Sequence, residues 1–184
     1  MNRLAVLSLL LVACKDPAAP DALRVAVQHP AASAADTYFP LVAGRIYHYV
    51  TDENGEPGMM VATVERTDAT HGALHIGSNV KRFSLDAKGI AYDGGAYVLR
   101  VPLVVGTSWS GEHGGTTTIV ANDAPVSVPA GTYGSCLETV EDVVPNAHYR
   151  NTYCPGVGLV LLEVTSPRGH ARVELKRYGE PVTL

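Results

Sequence analysis

The sequence has no run of basic residues, and its negative charges outnumber its positive ones. It contains 14 Lys and Arg against 18 Asp and Glu, which gives a formal net charge of −4 over 184 residues. A protein that binds nucleic acid neutralises phosphates with clustered Lys and Arg side chains. We therefore predict that nucleic acid is not a partner of this chain.

The sequence also lacks an apolar run long enough to cross a bilayer. The segment LAVLSLLLVA follows Met1-Asn2-Arg3, whereas a membrane-spanning helix needs about 20 apolar residues. A cationic start, a short apolar run and a small residue before the next polar stretch are typical of a secretory signal. We therefore interpret residues 1–13 as a signal peptide that directs export.

Leu11-Val12-Ala13-Cys14 resembles the lipobox of bacterial lipoproteins. The resemblance implies cleavage before Cys14 and acylation of its thiol, with palmitate as a typical acyl chain. Two or more acyl chains anchor a protein stably to a membrane. By resemblance to the sorting rules of enteric bacteria, Lys15 in place of Asp favours the outer membrane. We therefore expect a lipid-anchored protein of the bacterial cell envelope that faces the periplasm or the cell surface.

Residues 14–36 are predicted to be a flexible tether that begins with the lipidated Cys14. The segment is rich in Ala and Pro and poor in aromatic residues, a composition typical of solvated linkers. The remainder, residues 37–184, is close to the usual size of one domain and can bury a core of its own. We therefore predict a single domain that the tether holds near a membrane.

Helical periodicity is nearly absent beyond the tether, and polar and apolar residues often alternate. In the segment RIYHYVT, Ile46 and His48 are predicted on one face of a strand and Tyr47 and Tyr49 on the other. Glycine-containing turn signals separate such segments at short spacing. This pattern predicts an antiparallel all-β domain of roughly ten to twelve short strands. A barrel, a half-barrel or a sandwich would limit exposed edges, and the sequence leaves these three architectures open.

Two segments of the domain share one pattern. PLVAGRIY (residues 40–47) and PLVVGTSW (residues 102–109) have Pro, Leu, Val, Gly and an aromatic residue at matching positions. Pro borders a strand because it cannot donate to a sheet ladder, and Gly permits a positive φ. The pattern therefore predicts two similar turns, which come either from an ancient duplication or from one strand–turn–strand device used twice.

These segments and two later ones resemble a group of bacterial envelope lipoproteins that has no assigned function. The motifs that carry the resemblance are, in order, YFPLVAGRIYHY, VPLVVGTSW, VPAGTYGSCLETV and YCPGVGLVLLE. They cover most of the domain from Tyr38 onward. Tyr47 stands where tryptophan is common in the group. The resemblance implies a β-rich envelope domain and brings no activity with it.

Cysteine is scarce, with three residues in the chain. Acylation of Cys14 would leave Cys136 and Cys154, and cysteine pairs of exported chains form disulfides in their oxidising compartment. We therefore predict a disulfide between Cys136 and Cys154, on two antiparallel strands joined by a turn. A catalytic thiol is disfavoured because acidic neighbours would raise its pKa, and a zinc site because the chain has no C-x-x-C pair.

The acidic neighbours of Cys136 raise the question of paired carboxylates for acid–base catalysis. They are Glu138, Glu141 and Asp142, and His148 is the one imidazole near them in the sequence. Alternation places Glu138 and Asp142 on one face of a strand and Glu141 on the other. We interpret these residues as a solvated polar surface.

Other local patterns also have structural interpretations. His71 and His75 have the i, i+4 spacing of a helical metal site, but the surrounding alternation disfavours a helix, and we interpret them as exposed turn histidines. GTSWSG (residues 106–111) departs from the G-x-S-x-G spacing of a nucleophile elbow. DENGEP (residues 52–57) lacks the pattern of a calcium loop and fits a tight hairpin turn.

The sequence therefore predicts no catalytic site, no metal site and no cofactor. Two functions are open. One is a binding or scaffold domain that contacts another envelope protein or the cell wall, and the other is a carrier that holds a lipid or a lipoprotein segment in an apolar groove. A groove on the order of several hundred Å³ lined by Leu, Val and Tyr would favour the carrier, and a packed core would count against it.

Overall fold

The computed structural model describes residues 33–179, which form one short helix and twelve strands. The helix α1 is Ala34–Tyr38. The strands are β1 (Ile46–Glu53), β2 (Glu56–Arg66), β3 (His71–Ile76), β4 (Asn79–Asp86), β5 (Gly89–Tyr92), β6 (Tyr97–Arg100), β7 (Ser108–Ser110), β8 (Thr116–Val128), β9 (Gly131–Val143), β10 (Ala147–Cys154), β11 (Gly158–Ser166) and β12 (Gly169–Gly179). No helix in residues 33–179 is long and apolar enough to cross a membrane.

The twelve strands form one antiparallel sheet that curves into a nearly closed barrel. Each strand from β2 to β6 and from β8 to β12 pairs with the strand before it, and β1 also pairs with β12. β6 and β7 are therefore the two ends of the sheet order. The prediction of an antiparallel all-β domain is confirmed, and of the three architectures left open the barrel is the one found.

The alternation along β1 decides which residues face the inside of the barrel. Tyr47 and Tyr49 are each 5% exposed, whereas Ile46 is 39% exposed. Tyr47 lies opposite Ala62 on β2, and Tyr49 lies opposite Leu175 on β12; both partners are buried. Residues that face each other across neighbouring strands share one side of a sheet. The inward residues therefore form a continuous apolar layer.

The helix α1 occupies the end of the segment that the sequence predicted as a tether. The N–H of Ser33 donates to the Asp36 carboxylate (3.0 Å), and the N–H of Asp36 donates to the Ser33 carbonyl (3.0 Å). This exchange caps the first helical turn because it satisfies backbone groups that have no partner inside the helix. Ala35 is 0% exposed, so residues 33–36 belong to the packed domain and not to a solvated linker.

The helix and the residue after it close the barrel at the end where β1 begins. Phe39 packs edge-on against Phe83 of β4, with ring centroids 5.2 Å apart. The N–H of Gly156 donates to the carbonyl of Thr37 (2.7 Å), and Arg45, directly before β1, donates to the carbonyl of Gly156 (2.9 Å). The chain therefore enters β1 beside α1 and Phe39, which cover this end of the barrel.

The two PLxxG segments form the same turn. Gly44 and Gly106 both have a positive φ, 79° and 91°, a conformation that favours glycine. The N–H of Gly44 donates to Val64 (2.9 Å), and the N–H of Gly106 donates to Ile119 (2.8 Å). Val64 and Ile119 each lie on the second strand of the hairpin that follows the turn. The sequence match therefore marks one turn geometry used twice.

The aromatic residue at the end of each segment is buried and donates a hydrogen bond to a backbone carbonyl. Tyr47 is 5% and Trp109 is 4% exposed. The Tyr47 hydroxyl donates to Val157 (2.8 Å), and the Trp109 indole N–H donates to Tyr97 (2.9 Å). Equivalent turns and equivalent aromatic anchors therefore open two consecutive halves of six strands each, β1–β6 and β7–β12.

Candidate functional site

A disulfide joins Cys136 on β9 to Cys154 at the end of β10, with the Cα atoms 4.3 Å apart. Both side chains are 0% exposed, and they follow the register in which Leu137 lies opposite Tyr153. The pair is therefore a buried disulfide cross-link between neighbouring strands, which is the arrangement that the sequence predicted. Cys14, the predicted lipidation site, lies outside the described residues.

An apolar cavity of about 60 Å³ lies inside the barrel between the first three strands and the segment after α1. Its wall consists of Phe39, Pro40, Leu41, Tyr47, Tyr49, Met60, Ala62, Leu74, Ile76, Gly158 and Leu159. A cavity needs about 10–15 Å³ of this volume, the space open to the centre of a water molecule, to hold one water, so this cavity admits a few waters or methyl groups and not a long acyl chain. The cavity is much smaller than the groove that the carrier hypothesis requires.

The hydroxyl groups of the two tyrosines in the cavity wall bind the backbone. Tyr47 donates to Val157 (2.8 Å), and Tyr49 donates to Leu159 (3.0 Å). Burial raises the pKa of Tyr49, with smaller contributions from the nearby tyrosines Tyr47 and Tyr153, so the phenol stays neutral at physiological pH. These tyrosines therefore give the cavity an aromatic lining, and their polar atoms support the barrel.

Glu141 on β9 is a buried carboxylate, only 4% exposed. Its oxygens accept hydrogen bonds from the N–H groups of His113 (2.8 Å) and Gly115 (3.0 Å), and they lie 2.9 Å from the Nδ1 of His113. A Cβ atom at Gly111 would lie 2.2 Å from the carboxyl carbon of Glu141. The connection between β7 and β8, residues 111–115, therefore wraps closely around this carboxylate.

The position of Glu141 corrects the interpretation of the acidic residues as one solvated surface. Alternation along β9 does separate Glu141 from Glu138 and Asp142, but the face that carries Glu141 is the inside of the barrel. On the other face, Asp142 is exposed and lies 2.6 Å from His148, and Glu138 pairs with Arg150. The sequence shows that two faces exist, and the closure of the barrel decides which one is buried.

Side chains connect the two unpaired edges of the sheet, β6 and β7, and we name this junction the seam. Trp109 of β7 donates to the backbone of Tyr97 in β6. Nearby, the Lys81 Nζ lies 2.5 Å from the Glu112 carboxylate and 5.3 Å from the centre of the Tyr92 ring. Burial alone would raise the pKa of Glu112, but hydrogen bonds from Lys81 and Tyr92 and the charge of Lys81 outweigh it and lower that pKa.

The titratable groups at the seam are occupied by contacts within the barrel. Both oxygens of Glu141 contact residues 111–115, and the His113 ring stacks on Tyr149 with centroids 3.7 Å apart. The Glu112 carboxylate contacts Lys81. These contacts therefore hold residues 111–115 against the barrel wall.

The predicted turn histidines lie on β3 instead. The side chains of His71 and His75 are 56% and 42% exposed, and each contacts one carboxylate: His71 lies 3.1 Å from Asp68, and His75 lies 2.6 Å from Glu65. Hydrogen bonds from Thr70 lower the pKa of Asp68 to about 2. Within residues 33–179, no group of three or more His, Cys, Asp or Glu could hold a metal ion.

The two other motifs weighed in the sequence serve as strand and turn. Ser108 lies on β7, where its hydroxyl is 2.9 Å from that of Thr118 on the neighbouring β8. The segment DENGEP forms the turn between β1 and β2, with positive φ at Asn54 (56°) and Gly55 (88°). The N–H of Gly55 donates to the Asp52 carboxylate (2.9 Å).

A hollow of about 330 Å³ lies on the outside of the barrel, and we name it the outer groove. It is lined by His48, Tyr49, Met59, Met60, Val61, Lys176 and Arg177. Met59 is 77% and Val61 is 44% exposed, so two apolar side chains project together from this face of β2. Alternation predicted that His48 faces away from Tyr47 and Tyr49. It could not predict that Val61 on β2 and Arg177 on β12 lie opposite His48, because that depends on the register of the strands.

No protein-family model matches the chain, and no curated protein matches it in sequence. A solved structure from Bacteroides fragilis, described as a candidate exported protein with a YmcC-like fold, is 11% identical, with a TM-score of 0.50 over 78% of this chain and 99% of that one. A protein of Parabacteroides distasonis, described as a candidate lipoprotein, is 13% identical, with a TM-score of 0.48 over 78% and 98%. The chain therefore shares its fold with the Bacteroides fragilis protein, and at this identity the likeness extends to the fold alone.

Proposed function

We propose that this chain is an acyl-anchored lipoprotein of the bacterial envelope and that its barrel is a non-enzymatic binding or scaffold domain. The observation that carries the proposal is the segment Leu11-Val12-Ala13-Cys14 at the end of a short apolar run. A lipid anchor at Cys14 places the barrel next to a membrane. Lys15 after the cysteine favours the outer membrane, with the barrel facing the periplasm or the cell surface.

The non-enzymatic assignment is supported by the way the polar groups are used. Glu141, the most enclosed acid of residues 33–179, accepts hydrogen bonds from the backbone of His113 and Gly115. Glu112 is held by Lys81. The interior is mostly packed with aromatic and aliphatic side chains, so a partner would meet the barrel at its outer surface. Another envelope protein, the cell wall and the membrane are the surfaces within reach of an anchored domain.

Metabolic labelling tests the anchor. A palmitate analogue should label the wild-type chain expressed in a bacterial host, and the variant Cys14→Ala should remain unlabelled because it lacks the acyl acceptor. The double variant Cys136→Ala with Cys154→Ala is the matched control, since it removes two cysteines and keeps the label. Equal labelling of wild type and Cys14→Ala would contradict the proposal.

A carrier of a lipid or of a lipoprotein segment is the second candidate; the apolar lining of the cavity inside the barrel supports it, whereas the small volume of the cavity counts against it. Met60, Leu74 and Ile76 in its wall are only partly buried, so the cavity reaches toward the surface. Ala62 is 2% exposed and also lines it, and a larger side chain there would fill the space.

Native mass spectrometry of the purified chain distinguishes the two candidates. A carrier should retain a lipid noncovalently, and Ala62→Leu should lose it while remaining folded by circular dichroism. A wild-type spectrum that shows the covalently acylated chain without any noncovalent adduct would leave the binding or scaffold function.

A further inference from the structure

The outer groove belongs to an apolar strip on the outside of the barrel wall. In the register of β1 and β2, His48 lies opposite Val61 and Val50 lies opposite Met59. The exposed fractions of Met59 and Val61 are 77% and 44%, and Ile46, on the same face of β1, is 39% exposed. Large apolar side chains that project together from a sheet mark a surface that contacts something apolar.

The edge of this strip on β12 is cationic. Lys176 and Arg177 are both exposed, and Arg177 lies opposite His48 in the register. Neither residue forms an ion pair with any of residues 33–179. The nearest acid along β12, Glu174, is held by Arg172 at 2.8 Å. The lining of the groove is therefore apolar and basic, without a carboxylate.

The strip begins at the end of the barrel where the chain enters and runs along β1 and β2 toward the turn between them. Ile46 is the first residue of β1, and this end is closed by α1 and Phe39. The segment between Cys14 and Ser33 can span at most about 65 Å even at full extension. An anchor at Cys14 therefore keeps Ser33, where the described structure begins, within about 65 Å of the bilayer surface.

We propose that the face formed by Ile46, Met59, Val61, Lys176 and Arg177 rests on the surface of an anionic phospholipid bilayer. The inference depends on the proposed acyl anchor at Cys14. The two basic side chains would meet lipid phosphates while the apolar side chains enter the boundary between head groups and acyl chains. A second copy of the chain is a poorer occupant, because the groove has basic residues and no carboxylate to receive those of its partner.

A face of only five side chains is sufficient for contact with the membrane because the acyl anchor supplies most of the membrane affinity. Once one contact is made, a linked second contact forms at an effective concentration set by the length of the link. The face therefore orients the barrel on the membrane, and it need not bind a membrane without the anchor. This orientation would leave the opposite side of the barrel, including the seam, directed away from the bilayer.

Fluorescence quenching in vesicles tests the orientation with the complete acylated chain. Met59→Cys and, as the matched control, Val144→Cys are labelled with an environment-sensitive fluorophore; Val144 is apolar, 88% exposed and lies in the turn between β9 and β10. Cys136 and Cys154 are bonded to each other and do not take the label. In vesicles of phosphatidylethanolamine and phosphatidylglycerol (3:1) that contain head-group nitroxide lipid, the label at position 59 should be quenched and the label at 144 should not.

The charge dependence is tested in the same assay. Replacing Lys176 and Arg177 by Gln should lower the equilibrium constant for contact by about 25-fold, since each basic side chain contributes about fivefold at an anionic surface. Lys88→Gln with Arg168→Gln, which removes two charges from turns elsewhere on the barrel, should leave quenching unchanged. Replacing phosphatidylglycerol by phosphatidylcholine should reduce quenching to the level of the Lys176 and Arg177 double variant.

Three outcomes would overturn the proposal. Equal quenching at positions 59 and 144 would mean that the barrel has no preferred face. Quenching that is insensitive to Lys176 and Arg177 would exclude the electrostatic contact. Protection of position 59 that rises with the protein-to-lipid ratio and ignores lipid charge would assign the face to a second copy. An acylated chain that fails these tests contradicts this inference alone, whereas a chain without acyl mass contradicts the proposed anchor.

Discussion

Glu141 shows how a single charged side chain supports the fold. Its carboxylate accepts backbone hydrogen bonds from His113 and Gly115, and it is only 4% exposed. Burial of a carboxylate is costly unless hydrogen bonds replace the lost water. Here these hydrogen bonds come from residues 111–115, the loop that also carries Glu112 to the seam. Glu141 therefore stabilises a loop that lies outside the strand pairing of the sheet.

Replacing Glu141 by Gln should lower the free energy of unfolding by about 2 kcal/mol, because a neutral amide accepts the two backbone N–H bonds more weakly than a carboxylate does. Urea denaturation measures the change. Asp142→Asn is the matched control on the neighbouring exposed residue, and its effect should be about 0.5 kcal/mol or less, as for other surface ion pairs. Equal effects of both variants would contradict the structural role of Glu141.

Buried tyrosines make the stability of the barrel sensitive to alkaline pH. Burial raises the pKa of Tyr49, Tyr92 and Tyr153 above their ordinary value of 10.0. The folded state therefore keeps the phenol protons longer than the unfolded chain does. Their contribution to stability is fully present below about pH 10 and is lost as the pH rises above that value, by about 1.4 kcal/mol per pH unit for each tyrosine.

The variant Tyr153→Phe should therefore reduce the alkaline slope of the unfolding free energy by about 1.4 kcal/mol per pH unit. The free energy is measured by urea denaturation between pH 8 and 11. The two proteins should have parallel profiles below about pH 9.5 and diverge above it. Parallel profiles throughout would show that Tyr153 ionises equally in the folded and unfolded chains.

The sequence predicts residue positions better than residue environments. The faces of β1 and β9 follow from alternation, so the separation of Tyr47 from His48 and of Glu141 from Asp142 could be read directly. The burial of Glu141 could not, because it depends on which face closes inward and on a loop from another hairpin. The glycines of GEHGG are the available signal, since they permit a backbone to approach a carboxylate closely.

At the scale of the elements, the two repeated turns depend on glycine conformation. Gly106 has a φ of 91°, and a Cβ placed there would meet no described atom within 4 Å. The cost of a side chain at this position is therefore backbone strain alone. Gly106→Ala should destabilise the barrel by about 1–2 kcal/mol. Gly106→Asn should cost less because Asn tolerates a positive φ, and thermal denaturation of both variants tests the order.

The disulfide is an element-level constraint on the β9–β10 hairpin. Cys136 and Cys154 are 18 residues apart in the sequence, and closing a loop of this length stabilises by about 3 kcal/mol in the chain-entropy model. The double variant Cys136→Ala with Cys154→Ala should lose about this amount in urea denaturation. In the denatured wild-type chain without reductant, neither cysteine should react with iodoacetamide. A reactive thiol at either position would contradict the disulfide between Cys136 and Cys154.

The helix α1 was missed by the sequence prediction for a physical reason. A helix of this length has too few turns for an apolar period to show, and its stability comes from packing. The residues Ser33 and Asp36 have the spacing of a helix cap, which is the one local signal of its start. The burial of Ala35 and the contact of Phe39 with Phe83 depend on the closed barrel and lie beyond local patterns.

For the whole molecule, the all-β class and approximate strand number follow from alternation and turns, whereas closure depends on register. The two halves meet at two junctions: β1 pairs with β12 by backbone hydrogen bonds, and β6 meets β7 at the seam through side chains. The sequence does not show which junction is paired by backbone hydrogen bonds, because β1 and β7 each follow an equivalent PLxxG turn. We expect the seam to be the weaker junction.

Amide hydrogen exchange tests this expectation. Exchange in β6 and β7 should be faster than in β1 and β12, since fewer backbone groups are protected at the seam. Trp109→Phe removes the donor to Tyr97 and should accelerate exchange at the seam further. Tyr47→Phe removes the corresponding donor on β1, which bonds Val157 between β10 and β11, and as the matched control it should leave exchange in β1 and β12 nearly unchanged. Equal acceleration at both junctions would contradict the difference.

The pairing of β1 with β12 also makes the strand order circular. Ile46 lies opposite Gly179, and Glu53 lies opposite Ala171, so the first and last strands run side by side along their lengths. A circular permutant that connects β12 to the segment before β1 and opens the chain between β6 and β7 would keep every hydrogen-bonded strand pair of the sheet. The sheet is therefore always open between β6 and β7, but the chain does not have to begin with β1 in order to form the barrel.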